Sequence, residues 1–406
     1  MTRPISLRLQ GEPPVSTRPV SHALWAKGFR PFFLLAAAWA TLSVPLWLLT
    51  LADVVHPGGY LGAMSWHAHE MVFGFAAAVV AGFLLTAAGN WTGRETLTGG
   101  PLLLLGGVWV LGRLAMTCPP RLAPWMLAVA DLAFLPLLTA VVARPLLAAR
   151  NRRNYGMIVV LLALFATNLT THLDVLGVLP GWRRQGSLVG VDVITLLIVL
   201  IGGRVIPLFT RNATGATDIR SVPSLDVLAA VTMALLIVAE IGFAGSRLVA
   251  VLAGAAGLAT AVRALPWGTR HVGRTPLLWV LHAGYAWVPL GLLLRAASSF
   301  WPSIVSPSVA THALTAGAIG TLTLGMMVRV TLGHTGRPLA ITGPVTVAFV
   351  AVTAAALVRV VGPLVAPGAY RAVIDLAGSL WCVAFALFLA VYAPALASPR
   401  VDGKPG

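Results

Sequence analysis

The sequence predicts an all-α, polytopic membrane protein with about twelve transmembrane helices. Of its 406 residues, 58% are hydrophobic and 10% are charged, and the mean hydropathy is +0.88. Soluble globular domains have about 25% charged residues, so this composition excludes a water-soluble globule. The apolar residues also fall into runs of about 20, the helix length that crosses roughly 30 Å of hydrocarbon.

Twelve such runs follow one another, separated by connectors with turn-forming residues such as Pro119 and Pro120. They cover residues 31–51, 67–88, 101–117, 122–142, 156–176, 187–209, 225–243, 247–265, 276–296, 309–332, 341–362 and 371–396. Residues 1–29 lack an apolar core of signal-peptide length, so we expect a basic tail that is not cleaved. The predicted organisation is a tail at 1–29, a transmembrane domain at 30–397 and a tail at 398–406.

Lysine and arginine predict the orientation of these helices. Most of the 28 basic side chains fall in the two tails and in every second loop, and the side richer in basic residues is the cytoplasmic one. Both tails are therefore predicted to be cytoplasmic, and the formal net charge of +16 is mainly a topology signal. The charges are scattered over short loops without a basic face, so no nucleic-acid partner is expected.

An unusual polar stretch, Trp-His-Ala-His-Glu-Met at residues 66–71, opens the second apolar run. Polar groups that enter hydrocarbon are costly unless they are paired or bound, and two further histidines fall at the same predicted depth. Imidazole is the usual ligand of copper, iron and zinc, so we expect a metal site at this depth. It would lie on the side of the membrane away from the cytoplasm, here called the outer side. Its candidate ligands are His67, His69, His172, His312, Glu70 and Met71.

The alternative is that histidine and glutamate pair with each other at the start of this helix. On a regular helix His67 and His69 point about 200° apart, so both face one centre only if the helix begins between them. His67 is predicted to share its face with Glu70, Met71 and Gly74.

An internal similarity relates the second and tenth helices. Aligned without gaps, His69 falls on His312, and the Thr-Gly-Arg at 92–94 falls on the Thr-Gly-Arg at 335–337. We interpret this as an ancient duplication of the helix 1–2 and helix 9–10 hairpins, with coincidence as the alternative. If the two helices pair, His69 and His312 are candidates for one shared centre. Both helices are also rich in glycine and alanine, which indicates either close helix packing or clearance for a flat macrocycle.

Four stretches resemble the NnrS family of bacterial membrane proteins. They are GFRPFFLLA from Gly28, WHAHEMVFGFAAAVVAGFLLTA from Trp66, LHAGYAW from Leu281 and HALTAGAIGTLTLGMMVRVTLGHTGR from His312. The resemblance implies twelve transmembrane helices in the bacterial inner membrane, with haem and copper as cofactors. It also implies a role in the response to nitric oxide during denitrification or nitrosative stress. Gly89 stands where many relatives are expected to have proline, which bears on loop geometry and not on ligands.

Haem b is expected and not haem c, because the sequence has no Cys-x-x-Cys-His. The two cysteines, Cys118 and Cys382, are interpreted as packing residues. The leading hypothesis is a protein that binds, senses or detoxifies nitric oxide or a related gas, and redox chemistry at a haem or copper centre is left open. A secondary transporter and a membrane scaffold for denitrification machinery are the alternatives, and the sequence names no protein partner.

A second group of polar residues falls on the predicted cytoplasmic side, and we predict that it binds the haem. Its members are His22, His282, His334, Tyr285, Arg30 and Arg329. Arginine pairs with anionic propionates in fork geometry, whereas Glu70 of the outer group would repel them, so copper is predicted on the outer side. The alternatives are a hydrogen-bonded core histidine at His282 and arginines that only snorkel to the interface.

Overall fold

The computed structural model describes residues 23–404, and within that range all regular secondary structure is helical, with no β-strand. Twelve of the helices in this range are long and apolar enough to cross a membrane, which confirms the predicted all-α, polytopic fold. Their bounds are α1 Phe29–Leu51, α2 Ala63–Thr92, α3 Gly99–Thr117, α4 Pro124–Ala148, α5 Arg152–Val175, α6 Trp182–Thr214, α7 Pro223–Gly242, α8 Arg247–Trp267, α9 Pro276–Phe300, α10 Pro307–His334, α11 Gly343–Val365 and α12 Pro367–Ala397. Short 3-10 helices lie outside them at Ala23–Trp25 and Thr269–His271.

The observed bounds differ from the predicted ones mainly where polar residues extend an apolar run. α2 begins at Ala63, before the predicted start at residue 67, and α6 is 33 residues long against a predicted span of 187–209. A helix of that length measures about 50 Å, so the ends of α6 extend beyond the hydrocarbon. A criterion based on apolar residues does not detect such ends.

An even number of crossings places the start of α1 and the end of α12 on one face, here called the terminal face. The other face is the opposite face. α1 packs against α12, which brings the two ends of the bundle together. α6 contacts α2, α9 and α10 and therefore lies near the centre.

The two helices related by internal similarity share an irregularity. A π-helical turn interrupts α2 at Glu70–Ala76 and α10 at Ala313–Gly320, in each case directly after the aligned histidine. Both helices end before an aligned glycine in the left-handed region, Gly93 (φ 65°) and Gly336 (φ 74°). Such turns are rare and are frequent at functional sites, so their matched positions support the interpretation of a duplicated hairpin.

The glycines of α2 and α10 serve close helix packing. A Cβ atom on Gly82 would lie 2.8 Å from the ring of Phe33, and one on Gly317 would lie 2.5 Å from the ring of Trp287. Neighbouring helices therefore fill the space over these glycines, as small residues in membrane helices allow. Of the two predicted roles, packing is the one that the structure supports.

Candidate metal and cofactor sites

α2 presents its two histidines to opposite sides. His67 and Met71 line a cavity between α2 and the helices α1, α6, α10, α11 and α12, whereas His69 and Glu70 face α3, α4 and α5. The prediction that the two histidines face different ways is confirmed, but the predicted face of Glu70 is wrong. Glu70 directly follows His69 on α2, and its carboxylate turns toward that imidazole and toward the guanidinium of Arg113.

Seven side chains form a hydrogen-bonded network toward α3–α5, here called the His69 cluster: Tyr60, His69, Glu70, Arg113, Asp131, Asn168 and His172. Asp131 lies at its centre, because its Oδ2 is 3.1 Å from Nε2 of His69 and 3.0 Å from Nε2 of His172. The same oxygen accepts a 2.7 Å hydrogen bond from Nδ2 of Asn168, and Oδ1 accepts one from Nη2 of Arg113. Both imidazoles and both carboxylates are completely buried.

The second nitrogen of each imidazole is also held in place. Nδ1 of His69 lies 3.0 Å from Oε1 of Glu70, and Nδ1 of His172 lies 3.1 Å from the hydroxyl of Tyr60. Burial raises the pKa of Tyr60 to about 12, so this hydroxyl keeps its proton at neutral pH. Nη1 of Arg113 donates a 2.7 Å hydrogen bond to Oε1 of Glu70 and so links the two carboxylates of the cluster. The predicted pairing of histidine with glutamate is therefore present at His69.

The His69 cluster has one unbalanced negative charge when its imidazoles are neutral, because two carboxylates face one guanidinium. A net charge in such buried surroundings is unfavourable, so the cluster is suited to hold a proton or a metal cation. Nε2 of His69, Nε2 of His172 and one oxygen of Asp131 lie within 4.8 Å of one another, the spacing of a group of metal ligands.

His67 and His312 line the cavity on the other side of α2, here called the histidine cavity. Its volume is about 570 Å³, within the range of roughly 300–1,000 Å³ that is usual for small-molecule and cofactor sites. Most of its wall is apolar, and its polar lining includes Arg184 and Arg359.

Each imidazole of the histidine cavity retains a nitrogen for a ligand. Nδ1 of His312 donates a 2.8 Å hydrogen bond to the carbonyl of Ser308, which leaves Nε2 as the nitrogen with a free lone pair in the neutral ring. Nδ1 of His67 is buried and has no hydrogen-bond partner among residues 23–404. The ring of His67 stacks on Trp47 with centroids 4.6 Å apart, which fixes its plane.

The four histidines predicted at one depth are thus divided into two pairs. His67 and His312 line the histidine cavity, whereas both ring nitrogens of His69 face partners in the His69 cluster. The expectation of one centre shared by His69 and His312 is therefore wrong. The sequences of α2 and α10 are similar, but the two helices direct their aligned histidines to different neighbours.

On the terminal face, His282 has protein partners on both ring nitrogens. Nε2 lies 2.9 Å from the hydroxyl of Thr210, and Nδ1 lies 2.9 Å from that of Thr269. This is the alternative arrangement, a hydrogen-bonded core histidine. The hydroxyl of Tyr285 accepts a 3.4 Å hydrogen bond from Nη1 of Arg263.

The predicted propionate partners on this face also have other contacts. Nη1 of Arg30 donates hydrogen bonds of 2.8 and 2.7 Å to the carbonyls of Leu396 and Ser398, at the C-terminal end of α12. The guanidinium of Arg329 lies over the ring of Phe209, 3.8 Å from its centroid. Arg30 is completely buried, so it is a structural cap and does not snorkel.

His334 lines a second cavity of about 380 Å³, together with Arg153 and Arg204. His334 and His282 do not meet there, because His282 is not part of its lining. His22, the third histidine predicted on this face, lies outside the described residues.

Arg113, Asp131, Asn168 and Tyr60 were not predicted as site residues. A signal for Arg113 and Asn168 was present, because each is a strongly polar side chain within a segment long and apolar enough to cross the membrane. The sequence did not show that the two side chains join one cluster, since they lie on separate helices. Tyr60 lies in the connector between α1 and α2, where a tyrosine is unremarkable.

Comparison with known proteins agrees with the fold and with these motifs. The family model described as NnrS protein matches residues 23–400, nearly the whole chain. No match was found among curated proteins. The matched range includes all twelve membrane helices, the His69 cluster and the histidine cavity. The chain therefore belongs to the NnrS family.

Proposed function

We propose that this protein binds haem b in the histidine cavity and copper at a separate centre, and that it binds, senses or detoxifies nitric oxide. Membership of the NnrS family implies a membrane protein of the nitric oxide response. The observation that carries the proposal is that His67 and His312, each with an available nitrogen, line one largely apolar cavity. When bound, haem iron supplies a site for a small diatomic gas such as nitric oxide.

The donors of the cavity fit a haem better than a lone metal ion. A lone ion needs several donors at about 2 Å. In a cavity of about 570 Å³ such an ion would leave most of the apolar wall without a contact. Haem covers apolar walls with its macrocycle and takes imidazole as an axial ligand. His67 and His312 are the residues that would hold the iron, and a gas would bind there by replacing one of the two imidazoles. Trp47 fixes the plane of His67.

The cavity also has cations for two propionates. Nη2 of Arg359 donates a 2.8 Å hydrogen bond to Oγ of Ser308, while its Nη1 is buried without a hydrogen-bond partner among residues 23–404. Arg184 is a second cation in the lining. Arginine pairs with carboxylates through two parallel hydrogen bonds, so these two residues would hold the propionates.

This proposal moves haem from the predicted terminal face to the opposite face, where copper was also predicted. One of the two reasons for placing haem on the terminal face was that Glu70 would repel propionates. Glu70 instead faces away from the histidine cavity and is paired with Arg113, so that reason no longer holds. His282 has two threonine partners, and its ring has no nitrogen to spare for iron without losing one of them.

The test is an optical spectrum of the purified protein and of four histidine variants. We expect a Soret band with about one haem b per chain, lost in His67→Ala and His312→Ala. The matched controls, His282→Ala and His334→Ala, remove an imidazole from the terminal face and should keep the band. A band lost only in the controls would restore the predicted terminal-face site, and a protein purified without haem in haem-replete cells would refute the proposal.

We also propose an inner-membrane location with the terminal face toward the cytoplasm. The support is the excess of lysine and arginine on that face, since the cytoplasmic side is the one rich in basic residues. A reporter that is active only in the cytoplasm, fused after residue 404, should be active. The same reporter inserted in the α1–α2 connector should be inactive, and the reverse pattern would contradict this orientation.

A further inference from the structure

We propose that the His69 cluster is a mononuclear site for a divalent first-row metal ion. The ligands would be Nε2 of His69, Nε2 of His172 and Oδ2 of Asp131. These atoms come from α2, α5 and α4, so the site exists only in the assembled bundle. Copper is among the ions that such donors accept, and to that extent the inference rests on the proposed function.

The spacing of the three donors suits one small ion. The Asp131 oxygen lies 3.1 Å from one imidazole nitrogen and 3.0 Å from the other, and all three atoms are within 4.8 Å of one another. Two bonds of about 2.1 Å to one ion can join donors that are up to about 4.2 Å apart. The observed Asp131–histidine separations are well inside that limit, so small side-chain movements suffice.

A fourth donor is already next to the site. Oδ1 of Asn168 lies 3.0 Å from Nε2 of His69, on the side of the ring that faces Asp131. Two nitrogens and two oxygens suit Zn²⁺, Cu²⁺ or Fe²⁺ better than Ca²⁺ or Mg²⁺, which prefer oxygen ligands alone.

The groups behind the ligands are those that metal sites use. In metal sites a ligating histidine donates its other ring N–H to a carboxylate or another oxygen, which fixes the tautomer and the orientation of the ring. Here Glu70 lies at Nδ1 of His69 and Tyr60 at Nδ1 of His172, while Arg113 binds the second oxygen of Asp131. Every proposed ligand therefore has an outer partner.

The charge of the cluster also favours a cation. Glu70 and Asp131 together have two negative charges against one on Arg113, and all three side chains are at most 5% exposed. A protonated imidazole is the competing way to balance the charge, in which case the cluster is an ion-pair network and nothing more.

The site is independent of the histidine cavity, because the two have no residue in common. Failure of haem binding and failure of this site can therefore be told apart. A variant of the His69 cluster should lose metal and keep the Soret band, whereas His67→Ala should lose the Soret band and keep the metal.

The first experiment is elemental analysis of the untagged protein purified from medium supplemented with copper, zinc and iron. We expect about one non-haem metal ion per chain, falling to near zero in His172→Gln and Asp131→Asn. In Glu70→Gln the ligands remain but their support is weakened, so affinity should fall roughly 10- to 100-fold. The matched control is His271→Ala, which removes a histidine that pairs with Asp218 at the surface and should leave the metal unchanged.

The second experiment uses the wild-type protein and so does not depend on the folding of any variant. After chelation, Cu²⁺ is added and the electron paramagnetic resonance spectrum is recorded. We expect one tightly bound ion with superhyperfine coupling to two imidazole nitrogens. No tight binding, coupling to a different number of nitrogens, or metal that persists in His172→Gln and Asp131→Asn would overturn the proposal.

Discussion

Arg113 should be one of the most costly side chains to remove from this protein. Its side chain is 5% exposed, and its guanidinium lies between the carboxylates of Glu70 and Asp131, which are completely buried. Arg113→Met keeps an unbranched side chain of similar reach but leaves two carboxylates without their cation. Each then faces only neutral groups or an imidazole.

The magnitude follows from the burial of both partners. Breaking a buried ion pair by removing one partner costs about 3–5 kcal/mol, because an uncompensated charge remains. An exposed pair is worth about 0–1 kcal/mol. The matched control is Arg371→Met, since Arg371 pairs with Asp375 and both are more than 40% exposed. We expect Arg113→Met to lower the free energy of unfolding by at least about 2 kcal/mol more than the control.

The assay is titration with sodium dodecyl sulfate in mixed micelles, followed by fluorescence of the 13 tryptophans. A chelator is present throughout, so that loss of a metal ion does not contribute. The double variant Arg113→Met with Glu70→Gln should recover part of the loss, because one of the stranded charges is gone. If Arg113→Met is as stable as Arg371→Met, or if the double variant is worse than the single one, the reasoning from charge burial is refuted.

Three further predictions concern stability. Gly203→Ala should lower the free energy of unfolding by about 1–3 kcal/mol, because the new Cβ would overlap the guanidinium of Arg263. The control is Gly107→Ala, whose Cβ meets nothing within 4 Å. Equal stabilities of the two variants in the micelle titration would contradict this. Gly336→Ala should cost roughly 1–2 kcal/mol, since Gly336 has a φ of 74° in the region that side chains disfavour, and an unchanged midpoint would argue against it. The difference between the ultraviolet titration curves of the wild type and of Tyr60→Phe should show that Tyr60 ionises near pH 12. The unfolded chain releases that proton near pH 10. The contribution of Tyr60 to the free energy of unfolding should therefore fall as the pH rises from about 10 to about 12. Ionisation near pH 10 in the folded protein would show that the hydroxyl is not buried.

The sequence determined the fold class and the number of membrane helices. Hydropathy acts locally, because each apolar run of sufficient length is stable across the bilayer whatever its neighbours are. Helical periodicity likewise predicted that His67 and His69 face different ways. The alignment of His69 with His312 predicted a duplicated hairpin, and the π-helical turns that follow both histidines support it, although no irregular turn was predicted.

Local patterns could not show which polar side chains meet. Glu70 was predicted on the face of His67, but its carboxylate contacts His69 and Arg113 instead. Arg113, Asp131 and His172 lie on three different helices, and nothing in the spacing along the chain relates them.

Only the tertiary structure decided the partners, because they depend on how helices cross. Asp131 meets His69 and His172 across separations of 62 and 41 residues, and such contacts are set by the packing of α2, α4 and α5. The same packing turns His67 and His312 toward one cavity and leaves His282 between two threonines. The sequence therefore determined that polar groups enter the membrane, and the arrangement of the helices decided which of them compensate one another, since a buried charge is stable only beside its partner.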